Sequence, residues 1–194
     1  MSPVAVREAS SDDLARAVSV QVMAFGSDPV MRWLYPDAHD YLAHYPSFVE
    51  AFGGRAFEHA TAYVAADFGG VALWLPPGIH VDGELVESVL QSTLANPVRE
   101  EVFSVLEEMD RYHIEEPHWY LPMIGVDPSQ QGQGIGAALL QHALSKCDEA
   151  SLRAYLESSN PANVPLYERH GFRVLGTIQV GSSPPVFPMM RAAR

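Results

Sequence analysis

Apolar positions along the chain repeat with helical spacing in some stretches and run nearly continuously in others, and the change from one to the other marks the elements. A short apolar strand at 4–6 comes first. Leu14, Val18, Val22 and Phe25 then share one helical face. Ser10-Ser11-Asp12-Asp13 opens that helix as a cap with acids in its first turn, and Gly26-Ser27-Asp28-Pro29 stops it. The stretch 30–57 is rich in aromatic residues, and Pro36 and Pro46 predict that it breaks into short helices. One carries Met31, Trp33, Leu34 and Tyr35, and the next Tyr41, Leu42, Tyr45, Phe48, Val49 and Phe52. This cluster reads equally as core or as the wall of a substrate cavity.

Two β-rich runs at 61–66 and 71–75 are joined by Asp67-Phe68-Gly69-Gly70, the turn chemistry of a hairpin. Helices over 83–95 and 97–113 follow, with Pro97 at a first helical position. The remaining pattern predicts a strand at 118–126, a helix at 134–147, a strand at 152–157 and a short helix at 163–170 ended by Gly171. Antiparallel strands at 172–180 and 186–190 close the chain. No repeat, low-complexity tract or linker interrupts it, so one domain over 1–194 is expected.

Composition narrows the functions. A formal charge of −12 argues against nucleic acid or an anionic membrane as the main partner, since both call for a basic face. Cys147 is the only cysteine, which excludes an intrachain disulfide and points to a reducing, cytoplasmic setting. It falls on the helical repeat of Leu140, Ala143 and Leu144, a core position. No signal peptide is expected, and no apolar stretch reaches the length of a membrane span.

Chemistry concentrates where the 118–126 strand runs through a glycine loop, Gly125-Val126-Asp127-Pro128-Ser129-Gln130-Gln131-Gly132-Gln133-Gly134-Ile135-Gly136-Ala137, into a helix. The first N–H groups of a helix lack partners and carry partial positive charge, which makes this turn an anion site. Between Met123 and Ser145 there is no Lys or Arg, so a phosphate here relies on backbone donors. The Gly-Lys-Ser/Thr of a P-loop is absent, and Leu139 stands where a dinucleotide fingerprint needs its third glycine.

Two motifs then carry a resemblance: Gln131-x-x-Gly134-x-Gly136, and downstream Asn160 followed by Tyr167 and Gly171-Phe172. In this order and separation they resemble the GNAT superfamily of N-acetyltransferases. Glu116-Pro117-x-Trp119, Gly125-Val126-x-Pro128, Leu156-Glu157 and Asn163-x-Pro165-x-Tyr167-Glu168-Arg169 are most similar to the puromycin N-acetyltransferase type, as is Ala72-x-Trp74 ahead of a proline loop. The resemblance implies a mixed α/β (α+β) fold, with a twisted, mostly antiparallel sheet of about six or seven strands flanked by helices on both faces. It implies acetyl-CoA as cosubstrate, bound within about 118–172.

On the same resemblance, the coenzyme's pantetheine arm lies along Met123, Ile124, Gly125 and Val126, where a backbone N–H serves as oxyanion donor. The diphosphate takes the N–H groups of Gly132, Gln133, Gly134, Ile135, Gly136 and Ala137 beside Gln131. Asn160 and Asn163 contact the coenzyme or its loop, or act as ordinary helix caps. Tyr167 is the acid that protonates the departing thiolate; a phenol keeps its proton at neutral pH. Many relatives carry a carboxylate base where this chain has Tyr120. His118, two residues earlier on the same face, is therefore a candidate relay, with Glu115, Glu116 and Glu157 as alternatives acting through water.

The other histidines show no metal spacing, so no metal is expected, and no Gly-x-Ser-x-Gly supports a serine hydrolase. The expected function is N-acetylation of a small-molecule primary amine, such as an antibiotic or toxic metabolite. Acetylation of a protein N-terminus or lysine is the runner-up, and a non-catalytic coenzyme-A sensor is the reading from another class. The acceptor, the acyl length and the oligomeric state stay open.

Overall fold

A computed structural model describes residues 4–194. The strands are β1 (Val6–Glu8), β2 (Ala62–Ala65), β3 (Gly70–Leu75), β4 (His118–Val126), β5 (Arg153–Ser158), β6 (Arg173–Val174) and β7 (Phe187–Arg191). They form one sheet in the order β1-β2-β3-β4-β5-β7-β6. Every neighbouring pair is antiparallel except β4 and β5, which run parallel. The helices are α1 (Leu14–Ala24), α2 (Pro29–Leu34), α3 (Ala38–Gly53), α4 (Arg55–Glu58), α5 (Gly83–Thr93), α6 (Asn96–Tyr112), α7 (Ile135–Glu149) and α8 (Val164–Arg169). None is long and apolar enough to cross a membrane, among the described residues.

The sheet separates two cores. On one face Tyr45 and Phe48 of α3, Leu90 of α5 and Val102 of α6 meet Tyr120, Met123 and Tyr155. On the other, Leu139, Leu140, Ala143 and Cys147 of α7 meet Tyr63, Trp74, Leu121 and Leu156. Burial holds the Cys147 thiol up at about 12, so it is inert packing. With both faces covered, β2 and β3 are buried at every position, which explains their unbroken apolar sequence.

The functional geometry begins with a register irregularity. Leu73 faces Met123 and Leu75 faces Tyr120, so two steps on β3 oppose three on β4. The extra residue is a β-bulge at Leu121-Pro122, where proline has no N–H to give the ladder. The bulge puts Tyr120 and Met123 on the same face while Leu121 points to the opposite core. Pairing of β4 with β5 runs from His118↔Arg153 to Leu121↔Leu156 and stops there, although β4 continues to Val126 and β5 to Ser158. Beyond the bulge the two strands part.

Helix α1 closes against the far end of β4. A Cβ at Gly125 would lie 2.6 Å from Gln21 Oε1 and 2.7 Å from the Ala24 Cβ. Gln21 is fully buried, and its Nε2 donates to the Val71 carbonyl at 3.1 Å. Gly125→Ala should therefore cost about 1–3 kcal/mol by overpacking. Urea titration would show it as a lower midpoint at an unchanged m-value; an unaltered midpoint would mean that α1 is not pressed onto β4.

Three local expectations are corrected. The first strand forms at Val6–Glu8, two residues later than the apolar pattern suggests, where Val6 pairs Ala65. Pro36 does separate two helices, with Asp37 capping the second through the His39 and Asp40 N–H groups, but Pro46 sits inside an unbroken α3. The rings of Tyr41, Tyr45, Phe48 and Phe52 stack successively along that helix, and their burial outweighs the lost backbone bond. The expected strand 172–180 is paired only at Arg173–Val174, with one further bridge between Ile178 and Val186. Between them the chain passes so close to α6 that a Cβ at Gly176 would meet the Tyr112 ring.

Candidate active site

At the end of β4 the chain turns through a capped loop. The Asp127 N–H donates to the Gly69 carbonyl, and the Asp127 carboxylate accepts from the Ser129 N–H at 2.8 Å and its hydroxyl at 2.7 Å. Those bonds hold the carboxyl below its ordinary range. Gly132 and Gly134 adopt φ of +76° and +83°, left-handed values that a side chain resists. Gly134 caps α7, whose ladder starts with Ala138 N–H donating to the Gly134 carbonyl at 3.0 Å. The N–H groups from Gly132 to Ala137 precede that bond and have no backbone acceptor.

All of these residues except Gln133 line a cleft of about 530 Å³. Ile124, Gly125, Val126, Gln131, Gly132, Gly134, Ile135, Gly136, Ala137, Asn160, Asn163 and Tyr167 all border it. Gln133 and Met123 do not: Met123 faces the neighbouring apolar cavity instead. Gln131 folds back, donating from Nε2 to the Val126 carbonyl at 3.3 Å. The Asn160 carbonyl oxygen Oδ1 accepts from Ala162 N–H at 3.0 Å and so acts as a cap, while Asn163 makes no such bond. Arg169, in the last turn of α8, also borders the cleft. It is a cation that the loop sequence does not show, because it comes from another element. An anion-binding helix mouth followed by an unpaired strand edge suits a diphosphate that continues into an amide-bearing chain.

Where β4 and β5 part, a second and mostly apolar cavity of about 110 Å³ opens. Met31 and Trp33 of α2 and Tyr45, Phe48 and Phe52 of α3 wall it, so the aromatic stretch is core and cavity wall at once. It meets the cleft at Phe25, Ile124, Asn163 and Tyr167, which border both. Tyr167 is 6% exposed, and burial pushes its pKa up, with the nearby Asp28 carboxylate adding to this. Asp28 is itself buried. Its Oδ1 caps α2 through the Val30 and Met31 N–H groups, and its Oδ2 accepts from the Ser159 hydroxyl at 2.6 Å.

A third, wider chamber of about 640 Å³ lies beyond, reached past Phe52, Leu106, Met109 and Glu157, which border both cavities. Burial raises the Glu157 carboxyl to about 7, against the opposing influence of the Tyr120 and Tyr155 hydroxyls, and Asp110 adds to the rise. His118 and Tyr120 border this chamber rather than the cleft. Burial lifts the Tyr120 pKa well above that of an ordinary phenol. His118 Nδ1 lies 2.8 Å from the Glu116 carbonyl, which can only accept, so Nδ1 carries the proton. Its Nε2, 3.1 Å from His113 Nε2, is then the acceptor. Burial lowers both rings, His113 to about 4, so the pair is neutral near pH 7. No group of three or more His, Cys, Asp or Glu is arranged to hold a metal, among the described residues.

Residues 58–172 match the model of the Acetyltransferase (GNAT) family. The chain belongs to the GNAT family. An uncharacterized N-acetyltransferase of Schizosaccharomyces pombe is 28% identical over 87% of this chain and 74% of that protein. A Corynebacterium glutamicum crystal structure, described as histone acetyltransferase HPA2 and related acetyltransferase, has a TM-score of 0.69 at 28% identity. It covers 99% of this chain and 97% of its own. Arylalkylamine N-acetyltransferase 2 of Aedes aegypti shares the fold, with a TM-score of 0.69 at 11% identity over 98% and 99% of the two chains.

In this GNAT chain the two β4 candidates for proton transfer are both committed elsewhere. Tyr120 is too weak an acid to be ionised near pH 7, and both ring nitrogens of His118 are occupied. Glu157 on β5 is the titratable group at the inner end of the apolar cavity. The sequence offers it only as one of three acids acting through water; what brings it to the Tyr120 face is the parallel register that sets Tyr120 opposite Tyr155.

Proposed function

We propose that this acetyltransferase moves the acetyl group of acetyl-CoA to the primary amine of a small molecule, by direct attack on the thioester. The observation carrying this reading is that the donor-lined cleft and the apolar cavity meet at Tyr167 and Ile124. An acyl group delivered along β4 would therefore face an acceptor held between α2, α3 and α6. The resemblance to the puromycin N-acetyltransferase type agrees, though it rests on motif residues outside the acceptor region. An acceptor enclosed by three helices suits a small molecule better than a protein N-terminus or lysine presented on a larger surface.

Acetyl-CoA supplies an activated carbonyl carbon and a thiolate leaving group. The Gly132–Ala137 N–H groups and Arg169 hold its diphosphate, and the free edge of β4 past Pro122 pairs with its amide chain. A backbone N–H on that edge, within Met123 to Gly125, stabilises the tetrahedral oxyanion, worth about 3–4 kcal/mol for one such donor. Glu157, with a carboxyl near 7, takes the proton that the attacking amine must lose. As the carbon–sulfur bond breaks, the Tyr167 hydroxyl gives its proton to the sulfur. Nitrogen gains the acyl carbon, Glu157 gains one proton, and sulfur gains one from Tyr167, which solvent restores.

Amine-dependent release of coenzyme thiol, measured over a panel of small amines and peptides, tests the proposal. Tyr167→Phe should lower kcat by about 10²-fold, the small end of the range for general acids because a thiolate is a weak base. Affinity for acetyl-CoA should hardly move. A fully active Tyr167→Phe would remove the acid role. Tight acetyl-CoA binding without release on any amine would favour a coenzyme sensor.

A further inference from the structure

Six buried side-chain polar atoms have no hydrogen-bond partner among the described residues: Gln21 Oε1, the Tyr45, Tyr63 and Tyr155 hydroxyls, and the Trp74 and Trp119 indole N–H groups. Of those six residues only Tyr45 borders one of the three cavities, and it is the apolar one where β4 and β5 part. Tyr45 is fully buried. Its ring lies between Tyr41, one turn before it on α3 at 4.9 Å, and Phe48, one turn after it at 5.9 Å, each within 19° of parallel. With both faces covered, the ring meets the cavity by its edge, the part that carries the hydroxyl. Phe25, tilted against it at 6.0 Å, borders both the cavity and the cleft. The other polar side chains around the cavity are engaged. Trp33 Nε1 donates to the Ser182 hydroxyl at 3.0 Å, Ser158 to the Asn160 carbonyl at 2.9 Å and Ser159 to Asp28 at 2.6 Å. Asn163 and Tyr167 open onto the coenzyme cleft and Glu157 onto the wide chamber. Among the described residues no Lys, Arg or His borders the apolar cavity.

We infer that Tyr45 selects the acceptor, its hydroxyl donating to an uncharged oxygen (ether, hydroxyl or carbonyl) carried on the apolar body of the amine. The inference rests on the acetyl-transfer reading and names the residue that discriminates among its substrates. The physical case is the satisfaction of a buried donor. Burial keeps the Tyr45 phenol protonated, so it offers an O–H. A buried O–H with nothing to donate to is an unmet hydrogen bond, and here the protein supplies no acceptor. The oxygen it takes is uncharged, because a carboxylate or phosphate brought into this cavity would find no cation. Elsewhere the wall is mostly apolar, so an oxygen placed wrongly on the acceptor stays unpaired and is rejected. Selection therefore reads a spacing: the thioester beside Tyr167 fixes the nitrogen, and Tyr45 fixes the oxygen.

The experiment measures kcat/KM for n-alkylamines and for isosteres in which an ether oxygen replaces one methylene at successive places along the chain. One oxygen position should be preferred over the all-carbon amine by about tenfold. The other positions should be poorer substrates than the all-carbon amine. In Tyr45→Phe the ratio at the preferred position should fall below one, as at the others. The inductive effect of the oxygen on the amine is the same with either enzyme, so the change in ratio isolates the hydrogen bond. Phenylalanine keeps the stack with Tyr41 and Phe48 and removes only the unpaired hydroxyl, so the variant's Tm without ligand should equal or exceed that of wild type. A lower Tm would mean that the hydroxyl is bonded within the protein and would overturn the inference. A wild type that prefers no oxygen position, or a preference that Tyr45→Phe leaves intact, would overturn it too, while acetyl transfer stands. Absence of turnover on every amine, with acetyl-CoA bound, would instead remove the acetyl-transfer reading and the inference together.

Discussion

Glu157→Gln should lower kcat/KM by about 10³-fold and abolish the limb of the pH profile near pH 7. The wild-type rate should rise with pH as the carboxyl ionises, around its raised value of about 7, and level off above. Glutamine keeps the shape and cannot accept the amine proton, so about 4 kcal/mol of transition-state stabilisation is lost. The same substitution should stabilise the fold at alkaline pH. A carboxyl whose pKa climbs from an ordinary 4.5 to about 7 on folding favours the native state most below about 4.5. That contribution disappears as pH rises through about 7, where the native state must hold a buried charge. Relative to wild type, the variant should gain nothing near pH 4 and as much as about 3 kcal/mol near pH 8. Urea titrations at the two pH values read this directly. An unaltered pH–rate limb in Glu157→Gln would assign the proton to another group. Equal stability at both pH values would show that Glu157 is solvated.

What the sequence revealed and what it hid follow from the range of the interactions concerned. The strand at 118–126 was readable to the residue, because its apolar run ends at a loop whose glycines and Asp127 act locally. Gly134 declares its left-handed cap by being glycine before an apolar helix, and Asn160 its capping role by preceding Pro161. Pro122 also carried a signal, since proline inside a central strand implies an irregularity. Its consequence, the parting of β4 from β5, depends on which strand becomes the neighbour, and that pairing is not local. For the same reason the sequence puts His118 and Tyr120 of β4 first and offers Glu157 only beside Glu115 and Glu116 as acids acting through water, although Glu157 comes to the Tyr120 face from β5. Pro46 misled because the stack of Tyr41, Tyr45, Phe48 and Phe52 is a packing effect, and proline's cost is a backbone one. The segment after Arg173–Val174 misled in the opposite sense: its strand-like residues pack over α6 and so leave the sheet.

Gly134→Val should abolish measurable acetyl-CoA binding, while Gly136→Ala should leave it nearly intact. The two glycines are two residues apart at the same helix mouth and differ in what their backbones demand. Gly134 sits at φ +83° with nothing within 4 Å of an added Cβ, so space is not the obstacle. A β-branched residue is strongly disfavoured at that φ, and relaxing it would turn the N–H groups of Ile135 and Gly136 away from the cleft. Whatever remained of the donor set would then lie behind an isopropyl group on the cleft wall. At Gly136 an added Cβ would meet Leu166 and Val126 at an ordinary 3.6 Å, from within a helix that prefers alanine. Calorimetric titration of acetyl-CoA into each folded variant separates the cases, with Tm measured without ligand to account for the strain at Gly134. A Gly134→Val protein that bound as wild type would mean that the diphosphate does not rest on the helix mouth. A Gly136→Ala protein that failed to bind would mean that contact with the backbone there is closer than the cleft geometry indicates.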